Sequence, residues 1–481
     1  MDQAPSILWF QGDLRLTDNP ALHAALREGK VIPVYIHAPE EDGPWSPGGA
    51  SRWWLHHSLS ALAADLNDRG SRLILRHGPS AEALLALCAQ SGARRVIWNR
   101  SYAPSSRSRD QTIANQLKAA GITVRRFHPP LLFPRGRVLN KSGNPYKVFT
   151  PFWRNCLAQG LDDSPTAAPT TMPKVPNLPS LTIEALNLLP TLDWHKGFYA
   201  CWQPGESGAV KKLKHFCEHH LVNYAKAQDI LAEDATSALS PHLHFGEITP
   251  RQIIARIHEV MAQRNDAGIV ASSERFLAEL GWREFAHHIL YYFPHTTAQP
   301  LNARYSHFPW RTDTALLHAW QQGHTGIPVV DAGMRQLWQT GTMHNRVRMI
   351  AASFLTKNCR VHWLEGARWF WDTLVDADLA ANTLNWQWVA GCGADAAPYY
   401  RIFNPVTQSR RFDPAGAYLR RWLPELSRLP DRHIHAPWEA AAKVLTTAQV
   451  KLGKDYPLPV IDPNESRKQA LAAYQKLQQA T

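Results

Sequence analysis

Several kinds of segment and motif are missing from the 481-residue sequence. No run approaches the roughly 20 apolar residues that a membrane-spanning helix needs, and the opening MDQAPSILWF lacks the basic-then-apolar order of a secretory signal. The six cysteines are scattered without a CxxC pair, which argues against a disulfide framework and predicts reduced thiols in a cytoplasmic protein. P-loop, GxSxG and HExxH motifs are absent too, and we expect no metal site.

Basic residues and tryptophan are what the sequence has in excess. It carries 52 Lys and Arg against 40 Asp and Glu, a formal net charge of +12. Such a surplus favours a polyanionic partner such as nucleic acid, although it also serves solubility alone. Of the 19 tryptophans, 13 follow residue 190; most should pack a core, but their density also suits a cofactor or nucleobases.

The order of the predicted elements divides the chain into two domains. Short branched apolar runs at residues 7–10, 31–36, 72–76, 95–99 and 123–127 alternate with helical patterns at 52–66, 81–90 and 111–120. That alternation predicts an α/β domain with a doubly wound parallel sheet over residues 1–135. A proline-dotted stretch at about 160–195 indicates a linker, taken as 136–204, before an all-α domain over 205–481. Its predicted helices include 249–263, 272–291, 314–322, 365–374 and a peripheral tail helix at 465–480.

A polar stripe is predicted within DADLAANTLNWQW, residues 376–388. Asp378, Asn382 and Trp386 are four residues apart, so on a helix they share one face. Because a buried carboxylate and amide need partners, a bound polar heterocycle would fit there; a partly exposed helix with a satisfied acid explains the pattern equally well. Trp388 must project elsewhere, which allows the two tryptophans to face different compartments.

The segment MHNRVRM, residues 343–349, carries two arginines that point to different sides of a helix. Asn345 and Arg348 are three residues apart and therefore neighbours, as are Arg346 and Met349. One arginine would pair with an inward acid such as Asp376 and the other would meet phosphate. The alternative is that both arginines are only solvated.

The segment ELGWREF, residues 279–285, places Glu279, Trp282 and Arg283 on one helical face. A carboxylate beside an indole suits a site that grips the edge of a base and stacks on its ring. A Glu–Arg pair packed over an aromatic residue gives the same pattern without a ligand.

The segment TSALSPHLHFGE, residues 236–247, gathers hydroxyl groups before a proline. Ser240 followed by Pro241 predicts a helix N-cap, and a hydroxyl-rich loop at a helix N-terminus suits an anion such as a diphosphate. Plain capping needs no ligand, and His242 and His244 lack a third ligand at metal spacing. The string GCGADA, residues 391–396, is similar to a dinucleotide fingerprint but follows a helix rather than a strand, so we give it no binding role.

Together and in this order, these segments resemble the photolyase/cryptochrome family. The resemblance extends over nearly the whole chain, from WFQGDLRLTDNPAL at Trp9 through TGIPVVDAGMRQL to RIFNPVTQ, which ends at Gln408. The strings ASRWWLHHSL and WQWVAG most resemble bacterial cyclobutane pyrimidine dimer photolyases of class I or class III. The resemblance implies an α/β antenna domain followed by a helical FAD-binding domain.

Carried over position by position, the resemblance implies three groups of site residues. Those that would hold FAD, with the last of them also catalytic beside the reactive edge of the flavin, are Tyr224, Thr236, Ser237, Ser240, Asn345, Arg348, Asp376, Asp378 and Asn382. Those that would relay electrons to the flavin are Trp310, Trp363 and Trp386. Those that would bind the dimer and its DNA, with the first also catalytic, are Glu279, Trp282, Arg283, Arg346, Met349, Trp388 and Gln408.

The implied activity is blue-light repair of cyclobutane pyrimidine dimers in DNA, a carbon–carbon lyase reaction. A monomer would bind damaged DNA through basic contacts to phosphate and flip the dimer into its pocket, as photolyases and other base-flipping enzymes do. Excited reduced FAD would then donate the electron that opens the cyclobutane ring. Met349 favours cyclobutane dimers, because (6-4) relatives usually carry histidine there.

Three other functions stay open at this point. A cryptochrome-like blue-light receptor would do no repair; Asn382 and the short extension beyond the FAD domain argue for repair instead. A (6-4) photolyase would act on the other dimer, and a nucleic-acid-binding protein without photochemistry would lack flavin.

The sequence departs from the family pattern at four positions. Gln11, Gln228 and Ala238 stand where the family usually has arginine, and Thr342 replaces a tryptophan beside the flavin. These changes predict weaker phosphate contacts and a looser flavin site.

The antenna chromophore is less well specified. The polar pair that folate-type class I enzymes use after the fourth strand is Ser105 and Ser106 here. We therefore expect 5,10-methenyltetrahydrofolate bound in a different way, or else 8-hydroxy-deazaflavin.

Overall fold

A parallel five-stranded sheet organises the first part of the computed structural model, which describes residues 4–264, 266–397 and 400–479. The strands are β1 (Ser6–Phe10), β2 (Val31–His37), β3 (Ile74–His77), β4 (Arg95–Asn99) and β5 (Thr123–Phe127). Their order is β3-β2-β1-β4-β5, and every pairing is parallel. The order changes direction between β1 and β4, which in open α/β sheets leaves a crevice at the carboxyl ends of the strands.

Four helices cover the two faces of the sheet: α1 (Pro20–Arg27), α2 (Gly49–Asp68), α3 (Ser80–Ser91) and α4 (Pro104–Ala119). Alternating residues of β1 enter different cores, because successive side chains of a strand point to opposite faces. Leu8 and Phe10 pack with α1 and α2, whereas Ile7 and Trp9 pack with α3 and α4. The predicted doubly wound sheet is confirmed, with each strand within two residues of its predicted bounds.

The range predicted as a linker contains the helix α5 (Phe149–Ala158). Phe149 stacks on Trp282 with 3.7 Å between ring centroids, so α5 packs with the helical domain. The proline-rich residues that follow lie along the sheet domain, where the Leu181 amide donates to the Leu75 carbonyl. A helix of the second core therefore lies inside the range predicted as a linker. The domain limits 1–135, 136–204 and 205–481 stay predictions.

The rest of the described chain is helical. Its α-helices are α6 (Phe198–Cys201), α7 (Glu206–His219), α8 (Tyr224–Ala227), α9 (Ser240–His244), α10 (Pro250–Arg264), α11 (Ala267–Tyr292), α12 (Thr314–Gln321), α13 (Pro328–Thr340), α14 (Asn345–Ser353), α15 (Trp363–Thr373), α16 (Leu379–Ala390), α17 (Pro405–Phe412), α18 (Ala417–Trp422), α19 (Asp431–Ile434), α20 (Ala442–Ala448) and α21 (Pro463–Gln479). Shorter 3-10 turns lie at Pro39–Trp45, Glu184–Leu186, Asp193–Gly197, Leu221–Asn223, Pro294–Thr297, Ala303–His307, Pro424–Leu426 and Pro437–Glu439, and a π turn at Phe354–Asn358. The predicted helices correspond to α10, α11, α12, α15 and α21; Ala480, the last residue predicted for the tail helix, lies outside the described residues.

Helix α16 lies between two cores of this domain. It packs on α11, α14 and α15. Ala380 and Leu384 belong to the core that contains α11, whereas Trp386 and Val389 belong to the core that contains α13, α14 and α15. Gly391 ends α16 in a left-handed conformation, so the GCGADA string closes a helix, as expected from its place in the sequence.

Candidate functional site

A cavity of about 500 Å³ lies between α9, α11, α14 and α16. Most residues that the sequence predicts for ligand binding line it: Ser237, Ser240, Glu279, Trp282, Arg283, Asn345, Arg346, Arg348, Met349, Asp376, Asp378, Asn382, Trp386 and Trp388. They come from distant chain segments, and the packing of α11 and α14 on α16 brings them together. The residues predicted for cofactor and for DNA therefore share one space.

A bidentate ion pair joins two walls of this cavity. Arg348 on α14 donates from both terminal nitrogens to the two carboxylate oxygens of Asp376, each at 3.0 Å. The Ser240 hydroxyl donates to the same carboxylate at 2.6 Å. Thr342 takes part as well, because its Oγ1 accepts from Arg348 Nη2 at 3.4 Å. The predicted pair between an arginine of MHNRVRM and Asp376 is confirmed, and its two parallel hydrogen bonds fix the guanidinium plane.

Asp378 caps α16 and lies between two histidines. Its Oδ1 accepts from the backbone N–H of Ala381 at 2.8 Å, so Asp378 is the N-cap rather than part of the helical stripe. Its Oδ2 lies 3.7 Å from Nδ1 of His244 and 3.4 Å from Nε2 of His287. Burial by itself raises the pKa of Asp378, but the two histidines favour the carboxylate and hold this pKa well below its usual value. The cavity wall therefore carries an anion here.

The stripe of α16 and its second tryptophan face the same cavity. The Asn382 amide donates to the Ala367 carbonyl at 3.0 Å, which fixes its orientation. The Trp386 indole is 2% exposed, and Trp388 donates from Nε1 to the Asp395 carbonyl at 2.9 Å. Both tryptophans line this cavity, which is bounded by α11 and α14 and is therefore reached from more than one side of α16. That they face different ligands within it stays a prediction.

One face of α11 supplies Glu279, Trp282 and Arg283 to the cavity, as predicted. Glu279 pairs with Arg275, 3.0 Å between charged atoms, and not with Arg283 as the ligand-free alternative supposed. Burial raises the pKa of Glu279; Arg275 opposes this shift and Asp229 adds to it. The carboxyl group is thus more readily protonated than an exposed glutamate.

Arg346 already has a partner within the chain. Its Nη2 donates to Asp229 at 2.7 Å, and its Nη1 lies 3.7 Å from the Met349 sulfur. The guanidinium covers the Phe412 ring at 4.6 Å from the centroid. The expectation of an arginine that is open to phosphate is therefore corrected: an aspartate neutralises one end of this side chain.

The loop before α9 differs from the predicted cap. Leu239 is the N-cap and Ser240 is the first helical residue, so the serine hydroxyl bonds Asp376 instead of capping. Ala238, where the family usually has arginine, has a φ of 51°, in the left-handed region that alanine rarely adopts.

Five predicted site residues lie outside the described cavity wall: Tyr224, Thr236, Trp310, Trp363 and Gln408. Tyr224 is buried against the cavity residue Phe276, with 5.3 Å between ring centroids. Thr236 lies in the loop before α9, and Gln408 lies on α17.

Trp310 and Trp363 are joined through His362. The His362 ring lies 5.1 Å from that of Trp310 and 5.7 Å from that of Trp363, between centroids. Trp363 is buried and Trp310 is partly exposed. Helix α15 begins at Trp363 and packs on α16, which carries the cavity residue Trp386.

A second cavity, of about 290 Å³, lies at the carboxyl ends of β1, β2 and β4. Ser105 and Ser106 line it, together with Gln11, whose side-chain oxygen accepts from Arg109. From the sequence, only the two serines were noted, without a site around them. The signal that would have located it is the change of strand order between β1 and β4.

The two cavities share a wall of four residues: Leu243, His244, Arg283 and Asp378. Arg283 donates to the carbonyls of Pro130 at 3.2 Å and Leu243 at 3.3 Å. These two hydrogen bonds connect the chain after β5 to α9, and they hold the Arg283 guanidinium within the protein.

Three further properties complete the description. Within the described ranges, no helix is long and apolar enough to cross a membrane. Those same ranges contain no group of three or more His, Cys, Asp or Glu side chains placed to hold a metal ion. The six cysteines are free thiols, and Cys201 is the exposed one.

Several known proteins are similar to this chain in sequence and in fold. A family model described as the FAD binding domain of DNA photolyase matches residues 276–476, and one described as DNA photolyase matches residues 6–174. The deoxyribodipyrimidine photo-lyase of Agrobacterium fabrum is 47% identical over 99% of both chains. Cryptochrome-1 of Arabidopsis thaliana is 41% identical over 96% of this chain and 69% of its own. A bacterial class III photolyase from Agrobacterium tumefaciens superposes with a TM-score of 0.95 at 46% identity, over 100% of this chain and 98% of that chain.

Proposed function

This chain belongs to the DNA photolyase/cryptochrome family, and on that premise we propose that it repairs cyclobutane pyrimidine dimers in DNA with blue light. One observation carries the proposal. Most residues predicted to hold FAD and most of those predicted to hold the dimer line the same cavity, between α9, α11, α14 and α16. A photochemical electron donor and its substrate would thus lie side by side.

The cavity suits a flavin nucleotide. The match of residues 276–476 to an FAD-binding domain identifies FAD as the cofactor, and polar groups that can hold it converge on the cavity: Ser237, Ser240, Asn345, Arg348, Asp376, Asp378 and Asn382. When bound, reduced and excited by light, FAD would supply the electron that opens the cyclobutane ring, and the electron would return to the flavin once the two pyrimidines are restored. The Asn382 amide, held in place by the Ala367 carbonyl, can hydrogen-bond a ligand there without adding charge.

The substrate side of the cavity combines a carboxyl group, indoles and a sulfur. Trp282 and Trp388 offer aromatic faces for stacking on a flipped base. Glu279, whose pKa is raised by burial, can donate a hydrogen bond to a base carbonyl when it is protonated. Met349 lines the same side without a titratable group, which favours cyclobutane over (6-4) dimers. The net charge of +12 favours the approach of DNA phosphates.

Trp310, Trp363 and Trp386 are proposed to relay electrons from the surface to the flavin. Two observations support this role: the His362 ring contacts the rings of both Trp310 and Trp363, and α15, which begins at Trp363, packs on α16, which carries Trp386. Replacement of the buried Trp363 by phenylalanine should slow reduction of the oxidised flavin by an external donor under blue light. The dark spectrum should stay unchanged.

The second cavity is proposed to hold the antenna chromophore. It lies at the crevice of the sheet, contains Ser105 and Ser106, and shares a wall with the flavin cavity. A pterin or a deazaflavin bound there would lie close to the flavin. 5,10-Methenyltetrahydrofolate is the first candidate and 8-hydroxy-deazaflavin the second; extraction of the purified protein and chromatography of the released chromophore separates them.

Repair is tested with ultraviolet-treated oligothymidylate and reduced protein. Absorbance near the thymine band should recover in blue light and not in the dark, because splitting the dimers restores the thymine rings. Glu279→Gln, which keeps the shape of the side chain, should bind DNA but repair it more slowly. A flavin-loaded protein that gives no recovery in light would refute the proposal.

A photoreceptor without repair activity is the second candidate. The observation that favours it is the similarity to a relative named as a cryptochrome: Cryptochrome-1 of Arabidopsis thaliana is 41% identical to this chain. The same assay separates the two, since a receptor would absorb blue light without restoring thymine absorbance.

A further inference from the structure

Two ion pairs include charged residues that line the substrate side of the flavin cavity. Arg346, which lines the cavity, pairs with Asp229, and Glu279, which also lines it, pairs with Arg275. Asp229 itself lies outside the cavity wall, two residues beyond the end of α8 at Ala227. The charged side chains of Arg346 and Glu279 are therefore oriented by neighbouring residues before any ligand binds.

Asp229 belongs to a short segment that the fold holds in place. The backbone N–H of Gln228 donates to the Tyr224 carbonyl, and that of Leu231 donates to the Phe412 carbonyl at 3.0 Å. Phe412 is also the ring beneath the Arg346 guanidinium. The carboxylate of Asp229 and the aromatic face of Phe412 are thus fixed relative to each other.

The Arg346 guanidinium is constrained on several sides but not saturated. Asp229 takes a hydrogen bond from Nη2, Phe412 covers one face, and Met349 lies beside Nη1. Its Nε–H is buried without a hydrogen-bond partner in the described structure. An arginine has several rotatable bonds and loses much freedom when it binds, so a side chain fixed beforehand loses less.

We propose that Asp229 is a positioning residue for the recognition of damaged DNA. It holds Arg346 in the orientation that meets a flipped pyrimidine dimer, so that the charge is placed before the lesion arrives. This inference rests on the proposed repair function and adds to it a residue that does not touch the dimer. Recognition of undamaged DNA, which stays outside the cavity, does not use this orientation.

Repulsion between the Asp229 carboxylate and DNA phosphate would have the opposite effect on binding, and it would give a different result in the binding experiment. The Asp229 side chain is 41% exposed, and an exposed carboxylate beside the cavity residue Arg346 repels phosphate. The family usually has arginine at the preceding Gln228, so the local charge is already less positive. If repulsion were the whole effect, removing the charge would tighten the binding of damaged and undamaged DNA alike.

The test compares three variants in the dark by titration with oligothymidylate, ultraviolet-treated or untreated. Asp229→Asn should weaken binding of the treated oligonucleotide about tenfold, the size expected for loss of a charge-assisted hydrogen bond, and change binding of the untreated one less than twofold. Asp229→Glu should restore most of the preference. Glu233→Gln, an exposed position on the same segment with the same change of net charge, is the matched control and should keep the preference.

Each outcome decides the point. Equal tightening for both oligonucleotides would show repulsion, and equal weakening together with loss of flavin absorbance or of melting temperature would show a structural role; either overturns the inference. A full preference retained in Asp229→Asn overturns it as well. A wild-type protein with no preference for the treated oligonucleotide would instead refute the proposed function, and the inference with it.

Discussion

Replacement of Gly366 by alanine is predicted to displace the tryptophan that lines the flavin cavity. A Cβ at this position on α15 would lie 2.1 Å from Cη2 and 2.5 Å from Cζ3 of Trp386. The indole is 2% exposed and lies in edge contact with Phe370 and Trp320, at 5.0 and 6.1 Å between centroids. A close-packed ring has no free space to enter, so α15 or Trp386 itself must shift.

The magnitude follows from two opposing terms. Overpacking a filled core costs about 1–3 kcal/mol, whereas alanine in place of glycine favours a helix by about 1 kcal/mol. Because the contact is with a rigid ring, the upper cost applies, and the free energy of unfolding should fall by about 2 kcal/mol. The Asn382 amide donates to the carbonyl of the next residue, Ala367, so the same shift moves a predicted flavin contact. Flavin should therefore dissociate faster.

Urea unfolding and the rate of flavin release, followed by the rise of flavin fluorescence, measure both effects. Gly268→Ala near the start of α11 is the control, because a Cβ there would meet only the exposed N-cap carboxylate of Asp266, at 3.2 Å, rather than a ring in a filled core. That variant should change stability by less than about 1 kcal/mol and leave flavin release unchanged. A Gly366→Ala protein that matches the wild type in both measurements would refute the packing argument.

Two more perturbations test the electrostatics of the helical domain. Asp376→Asn leaves Arg348 without its counter-ion, so we expect the free energy of unfolding to fall by about 3 kcal/mol and flavin to be lost during dialysis. The control is Arg368→Gln, which removes an exposed ion pair with Glu365 and should lower the free energy of unfolding by less than about 1 kcal/mol. Burial lowers the pKa of Lys357 from 10.5 to about 7, so between these values the unfolded chain binds more protons than the folded one. Stability to urea should therefore gain up to about 1.4 kcal/mol per pH unit from this group as the pH rises above 7, and Lys357→Met should lose that gain; an unchanged slope would contradict it.

The fold was predictable because its signals are local. Branched runs such as residues 95–99 form buried strands, and the 3.6-residue period gives α11 and α16 their faces. The predicted family, the two-part architecture and the photolyase class of enzyme are confirmed by the matches in sequence and structure. Spacing within one helix also placed Glu279, Trp282 and Arg283 on one wall.

The partners of Arg346 and Glu279 were not predictable in the same way. Arg346 pairs with Asp229, 117 residues away, and no helical spacing relates the two. Glu279 has an arginine four residues away on either side along the same helix, and it pairs with Arg275 because the Pro130 and Leu243 carbonyls hold Arg283. The positions of cavities are the hardest to predict from sequence. The second cavity, for example, forms where the loops after three different strands meet.

The central claim is light-driven repair of one class of lesion, and product analysis tests it most directly. Ultraviolet-treated DNA that carries both cyclobutane dimers and (6-4) products would be incubated with reduced protein in blue light or in the dark, digested to nucleosides and separated by chromatography. The proposed function predicts loss of cyclobutane dimers with recovery of thymine in the light only, while (6-4) products persist. Persistence of the cyclobutane dimers in the light, with flavin bound and reduced, would contradict it.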